Sequence, residues 1–189
     1  MIFTFIGHHG TSFESYKSII EFNYELSVGD EEWLGDGVYF FVLGVSSKLI
    51  ELAEKWAIAQ SWDNKLKRYK YKNYCVLKSE ISVDEDNFLD LTTEEGIEVL
   101  DYFIKRFEQK LQTIGRNLNF IDGLLINLAR NEDVLPIEVA KGNFYIKFAE
   151  ERVNRINLRT SNCTICAVYN PRKNVLKTTV VQNGVIKGA

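Results

Sequence analysis

The sequence predicts an α+β fold, a single domain of 189 residues in which helices flank a largely antiparallel sheet. Three observations predict it. Apolar residues recur at helical spacing in three long stretches of the first two thirds of the chain. Short β-prone runs gather in the second half. No regular strand-helix-strand alternation, the mark of a doubly wound parallel sheet, links them.

The elements follow in order. Residues 2–6 are short and β-prone and lead into a polar turn over Gly7–Ser12, so a strand should deliver His8 and His9 to a loop. Ser12 caps a helix over 13–22, with Phe13, Tyr16, Ile19 and Ile20 on one face. Gly29–Gly37 reads as loop and 38–42 as a strand. Leu49, Leu52, Ala53, Trp56, Ala57 and Ala59 mark a helix from Ser46 to about Trp62, capped by Ser46 or Ser47. Residues 74–81 read as a strand, 87–91 as a short extended piece, and Thr92 or Thr93 caps the longest helix, from Glu94 to Thr113. The remaining runs, 122–127, 137–140, 164–169 and 178–182, read as strands.

Composition narrows the function. A hydrophobic share of 46% with 26% charged residues excludes a disordered chain, and only Pro136 and Pro171 occur, so no linker divides the sequence. No apolar run approaches the roughly 18 residues of a membrane span. Three cysteines and no leader-like start predict a reducing, cytoplasmic setting. Cys163-x-x-Cys166 has one further cysteine and two distant histidines to draw on, so no metal site is expected. A net charge of −3 argues against an extended phosphate-binding face. Locally, Lys65, Lys67, Arg68, Lys70 and Lys72 interleave with Tyr69, Tyr71 and Tyr74; the mixture can track a single nucleic-acid strand by charge and stacking, or is a solvated helix end or loop.

Two motifs carry chemistry: His9-Gly10-Thr11 at a strand end, and Gly35-Asp36-Gly37-Val38-Tyr39-Phe40 opening another strand. In this order, and followed by Ser46-Ser47-Lys48 and a helix, they resemble the diphtheria-toxin-like branch of ADP-ribosyltransferases, which includes the poly(ADP-ribose) polymerases. The likeness continues more loosely through Ala53, Trp56-Ala57, Leu89–Thr92, Asp122-Gly123 and Gly142–Phe144. It implies a split sheet and NAD as co-substrate. His9 would hydrogen-bond a hydroxyl of the nicotinamide ribose, the main chain of Gly10 would bind the carboxamide, and Thr11 would offer a hydroxyl to the sugar. Tyr39 would stack on the nicotinamide ring, Gly35 and Gly37 would allow the turn presenting it, and Ser46 or Ser47 would bind the carboxamide. These residue types suit the chemistry, because a glycosidic bond that breaks through an oxocarbenium ion is catalysed mainly by holding the leaving ring and placing charge. Glycine admits a ligand close to the main chain.

The third residue of the family signature, glutamate in chain-forming members, falls here on Thr164 or, with a one-residue slip, on Ile165. The resemblance is then to members that transfer a single ADP-ribose. Glu150 and Glu151 are the candidate general bases, set against an ordinary solvated stretch. The acceptor implied is a macromolecule, RNA or DNA ahead of protein, and the small size is similar to intracellular toxins neutralised by an antitoxin or used in phage defence. A catalytically degenerate NAD- or ADP-ribose-binding module is the alternative. An RNA 2′-phosphotransferase ranks below both, since no basic residues are placed to hold a 2′-phosphate.

Overall fold

A computed structural model describes residues 1–29, 32–114, 121–148, 154–155 and 158–188. β1 (Ile2–Ser12) runs straight through the stretch read from sequence as a turn, because Gly7–Ser12 finds a full ladder of partners in a neighbouring strand. Ser12 ends β1 and caps α1 (Phe13–Phe22), its hydroxyl accepting from Ser15 N at 2.9 Å. After β2 (Val38–Val42) comes α2 (Leu49–Ser61), which starts later than the sequence implied. Lys48 occupies the cap position there, and the hydroxyl of Ser46 accepts from Lys48 N at 3.1 Å in a local turn.

The basic-aromatic stretch is neither helix end nor plain loop. It forms a hairpin, β3 (Trp62–Asp63) with β4 (Arg68–Tyr69), and leads into β5 (Asn73–Asp84). β6 (Phe88–Asp90) precedes α3 (Glu94–Arg106), capped by Thr93, whose hydroxyl accepts from Gly96 N. The single long helix expected over 94–113 breaks at Phe107 into α3 and α4 (Glu108–Ile114). Residues 122–127 are also corrected: they lie in helix α5 (Ile121–Asn131). A run such as Leu-Leu-Ile fits either state by pattern alone, but Leu125, Ile126 and Ala129 are fully buried together, which is helical spacing. β7 (Val139–Phe144), β8 (Cys163–Val168), the short α6 (Pro171–Asn174) and β9 (Val175–Val185) follow among the described residues.

The result is an α+β architecture with a mixed seven-stranded sheet in the order β6-β7-β8-β2-β1-β5-β9, flanked by helices. Strands come from both halves of the chain. Among the described residues only β6 and β7 pair in parallel. One face of the sheet carries α2, α3 and α5 over a core of Phe41, Ala53, Val76, Phe103 and Leu125; the other carries α1 over Tyr24, Phe40, Leu77 and Val168. Cys163 and Cys166 fall on opposite faces of β8, which separates their thiols; burial pushes the Cys163 thiol up to about 12. Among the described residues no helix is long and apolar enough to cross a membrane.

The sheet is open at one place. β1 pairs with β5 along its whole length, yet it meets β2 only at Gly7↔Val42 and His8↔Phe41. Beyond His8, β1 stays with β5 while β2 stays with β8, and the two halves of the sheet part between His9 and Tyr39.

Candidate functional site

A cavity of about 460 Å³ lies where the sheet opens, within the roughly 300–1,000 Å³ of small-molecule sites. β1 supplies His9 and Gly10 to its wall, and β2 with the preceding turn supplies Gly37 and Tyr39. Trp56 and Gln60 come from α2, Ile165 from β8, and Glu25, Ser27, Glu32 and Trp33 from the segment between α1 and β2.

The two motifs touch directly. His9 Nδ1 donates to the Tyr39 carbonyl at 2.8 Å, spanning the gap that the diverging strands leave. A carbonyl can only accept, so Nδ1 carries the proton, and the neutral ring keeps a lone pair on Nε2. Burial lowers the imidazole below its ordinary 6.5, against the opposing pull of that carbonyl, so the neutral form prevails at neutral pH. The ring is fixed further by Tyr24, edge-on at 5.3 Å, and by Phe40 at 5.7 Å. Tyr24 is itself anchored, its hydroxyl 2.8 Å from Ser79 Oγ, which lies 2.9 Å from Thr178 Oγ1.

Tyr39 has its phenol oxygen occupied. It donates to Gly35 O at 2.7 Å and accepts from Leu34 N at 2.9 Å, so the side chain clamps the turn that precedes its own strand and presents the ring to the cavity. Gly35 sits at φ +81°, the left-handed region, and a Cβ there would stand 2.4 Å from Asn127 Oδ1. Behind the turn, Asn127 accepts from Asp36 N at 2.9 Å, Tyr169 donates to Leu34 O at 2.6 Å, and Arg130 lies over the Tyr169 ring at 3.9 Å. Gly123 of α5 lets the backbone of Glu32 and Gly35 approach, since a Cβ would fall 1.9 Å from Glu32 O. α5 is thus the platform on which the Tyr39 turn is built.

Gly10 lines the cavity and also has a packing role. A Cβ on Gly10 would stand 1.8 Å from Ala53 O, so its lack of a side chain lets α2 lie against β1 and brings Trp56 and Gln60 to the cavity. The remaining sequence candidates divide. Thr11, paired with Cys75 on β5, and Ser46 and Ser47, ahead of α2, are not among the cavity-lining residues. Thr164 is buried away from the cavity: its hydroxyl donates to Asn143 Oδ1 at 2.7 Å and accepts from Val45 N at 2.9 Å, and Gly44 packs against it. Alternation along β8 turns its neighbour Ile165 to the cavity wall instead, so of the two positions weighed it is the apolar one that lines the site. Glu150 and Glu151 lie outside the described residues.

No protein-family model matches the chain. An uncharacterized protein of Methanocaldococcus jannaschii is 33% identical over 100 residues, which is 52% of this chain and 42% of that protein, so the match spans less than half of the relative's length.

Sequence reasoning missed Glu25, Ser27, Glu32 and Trp33. The Ser27–Gly37 bridge brings them in: Ser27 N donates to Gly37 O at 2.9 Å and Gly37 N to Ser27 O at 3.0 Å. The hydroxyl of Ser27 donates to Glu32 Oε1, fixing a carboxylate at the cavity rim. Trp33 stacks on Phe144 with centroids 5.1 Å apart. A tryptophan and acids flanking a glycine turn were the available signal, and no local periodicity ties them to His9. The cavity therefore combines aromatic walls, one imidazole acceptor and rim carboxylates, a set suited to a flat heteroaromatic ring joined to a hydroxylated sugar.

Proposed function

We propose that this cavity holds the nicotinamide half of NAD and that the chain is a mono-ADP-ribosyltransferase acting on a macromolecular acceptor, nucleic acid or protein, inside the cell. The observation that carries the reading is that His9-Gly10 and Gly37–Tyr39, the two motifs behind the resemblance, line one cavity and are joined by a hydrogen bond across the split sheet. The ring of Tyr39, with its oxygen already engaged, offers a fixed aromatic face, and Trp33 and Trp56 complete an apolar enclosure for the pyridine. The lone pair on His9 Nε2 accepts from a ribose hydroxyl and holds the sugar.

The reaction these groups serve breaks the bond between ribose C1′ and the pyridine nitrogen. Nicotinamide leaves with the bonding pair, which neutralises its ring charge, and C1′ becomes oxocarbenium-like. A lone pair of the acceptor then forms the new bond to C1′, and the acceptor's proton passes to a base or to water. Glu32, held by Ser27 in the cavity lining, would stabilise the cation or take that proton, the role the sequence offered to Glu150 or Glu151, which lie outside the described residues. Ile165 in the wall leaves no carboxylate at the third family position on β8, which fits transfer of one unit without chain extension.

The test is nicotinamide release from NAD in the presence of cell extract, followed by separate protease and nuclease digestion of the labelled product. Wild-type release that falls at least tenfold in Tyr39→Ala supports the reading; no release from any extract removes it. Ile165 also favours a second reading, a module that binds NAD or ADP-ribose without turnover. Calorimetric NAD binding with no nicotinamide released would select it. A neutralising antitoxin belongs to the first reading alone, as growth arrest on expression that is abolished in Tyr39→Ala.

A further inference from the structure

We propose that the β3–β4 hairpin is the acceptor-docking surface and that it takes a single-stranded nucleic acid, presenting one nucleotide to the cavity mouth; the transfer half of this proposal rests on the reading above, the docking half does not. Three features of the hairpin carry it. The first is position. Gln60, in the cavity wall, is followed after one residue by Trp62, the first residue of β3. Lys70 N donates to Ser61 O at 2.6 Å and Tyr71 Oη to Ala57 O, which pin the hairpin to the end of α2. With two-residue strands joined by a turn over residues 64–67, the whole hairpin lies within about 13 Å of Trp62, the upper limit of four extended residues, so a strand laid along it passes the cavity within a few nucleotides.

The second is charge. Lys65, Lys67, Arg68, Lys70 and Lys72 are all exposed, and none is within ion-pair distance of a carboxylate among the described residues. The hairpin's own acid, Asp63, is engaged by the turn, one carboxylate oxygen accepting from Lys65 N at 2.8 Å and Leu66 N at 2.9 Å, and it offsets part of the charge of Lys70 and Arg68 without pairing with either. In a chain of net charge −3, such a local excess is a specific placement rather than a general basic surface.

The third is an aromatic platform. Trp62 and Tyr69 face each other across the hairpin, centroids 5.0 Å apart and near perpendicular, and Trp62 remains 39% exposed. A fixed, half-open indole among cations serves a stacked base better than an acidic peptide, which needs the charge and not the ring. The docked nucleotide's base nitrogen or hydroxyl supplies the lone pair that bonds to C1′, nicotinamide carries off the electrons of the broken bond, and the acceptor's proton passes to water.

The experiment is fluorescence anisotropy of labelled 12-nucleotide DNA and RNA strands over a salt series, without NAD. Competitors are the matching duplex and an acidic peptide of equal charge. Wild type should bind single strands ahead of both competitors. The triple substitution Lys65→Gln, Arg68→Gln, Lys70→Gln, confined to exposed side chains, should reduce the slope of log affinity against log salt by about 2, from roughly 0.7 per lost contact. Trp62→Ala should weaken binding about 5- to 150-fold while Trp62→Phe retains most of it. Salt slopes unchanged in the triple variant, or an acidic peptide binding as tightly as the strand, overturn the proposal. Nicotinamide release, measured separately, reports on the cavity: binding without release leaves the docking surface standing and rejects the transferase, and release without binding does the reverse.

Discussion

Replacing Tyr39 by phenylalanine removes one oxygen and keeps the ring, which separates the two jobs the structure gives this residue. The oxygen donates to Gly35 O and accepts from Leu34 N, so Tyr39→Phe leaves one carbonyl and one N–H of the turn without partners. Each net hydrogen bond contributes about 0.5–1.5 kcal/mol, and water entering from the adjoining cavity can replace part of both, which places the expected loss at about 1–2 kcal/mol. For a chain of this length that is a fall in Tm of about 2–8 °C, read by differential scanning calorimetry. If the cavity takes NAD as proposed, aromatic stacking worth about 0.5–1.5 kcal/mol beyond buried area means that Phe should keep binding within about threefold once the turn is allowed for, while Tyr39→Ala should weaken it by about tenfold or more. A Tm within 1 °C of wild type, roughly the scatter of such scans against these magnitudes, would show that the phenol oxygen does not hold the turn, and the account of how the ring is presented would fail.

Gly10→Ala should destabilise the fold by about 1–3 kcal/mol with no ligand present, because α2 must retreat from the 1.8 Å approach toward the 3.4 Å of ordinary contact; a wild-type denaturation midpoint would refute the packing role. Thr164→Val keeps shape but strands Val45 N–H and Asn143 Oδ1, so Tm should fall by several degrees, with KM for NAD unchanged at a temperature where both proteins are folded; a raised KM would return Thr164 to the site. Burial holds both His8 and His9 below 6.5; between those lowered values and 6.5 the unfolded chain binds protons that the folded chain does not. Their contribution to stability is therefore complete above 6.5 and is lost as pH falls through the window, and His9→Gln should reduce that fall to the share of His8 in a stability-against-pH curve measured by denaturant titration. A fall of equal size in the variant would show that His9 is not the titrating group.

Much of the local structure was legible because its causes are local. The Ser12 and Thr93 caps, the apolar faces of α1, α2 and α3, and the β-branched and aromatic run of β2 each depend on residues within a turn or two of one another. Leu124-Leu125-Ile126 reads as a strand because a short apolar run fits a buried helix face and a buried strand alike, and what α5 packs against makes the choice. The pairing of His9-Gly10-Thr11 with Gly35–Phe40 was visible as two motifs, yet no rule of spacing says that strands from the start of the chain and from residue 38 diverge after two paired residues.

By itself, then, the sequence determined the α+β class and the positions of the helices α1, α2 and α3, and it offered His9, Gly10, Gly37 and Tyr39 as residues that the structure brings to one cavity. Tertiary structure alone decided that Ile165 and not Thr164 meets the cavity, that Glu32 and Trp33 join it, and that Gly10 makes room for a helix. The reason is physical. Side-chain direction on a strand reverses with each residue, so its face is fixed by register across the sheet, and that register is set by contacts far apart in the chain.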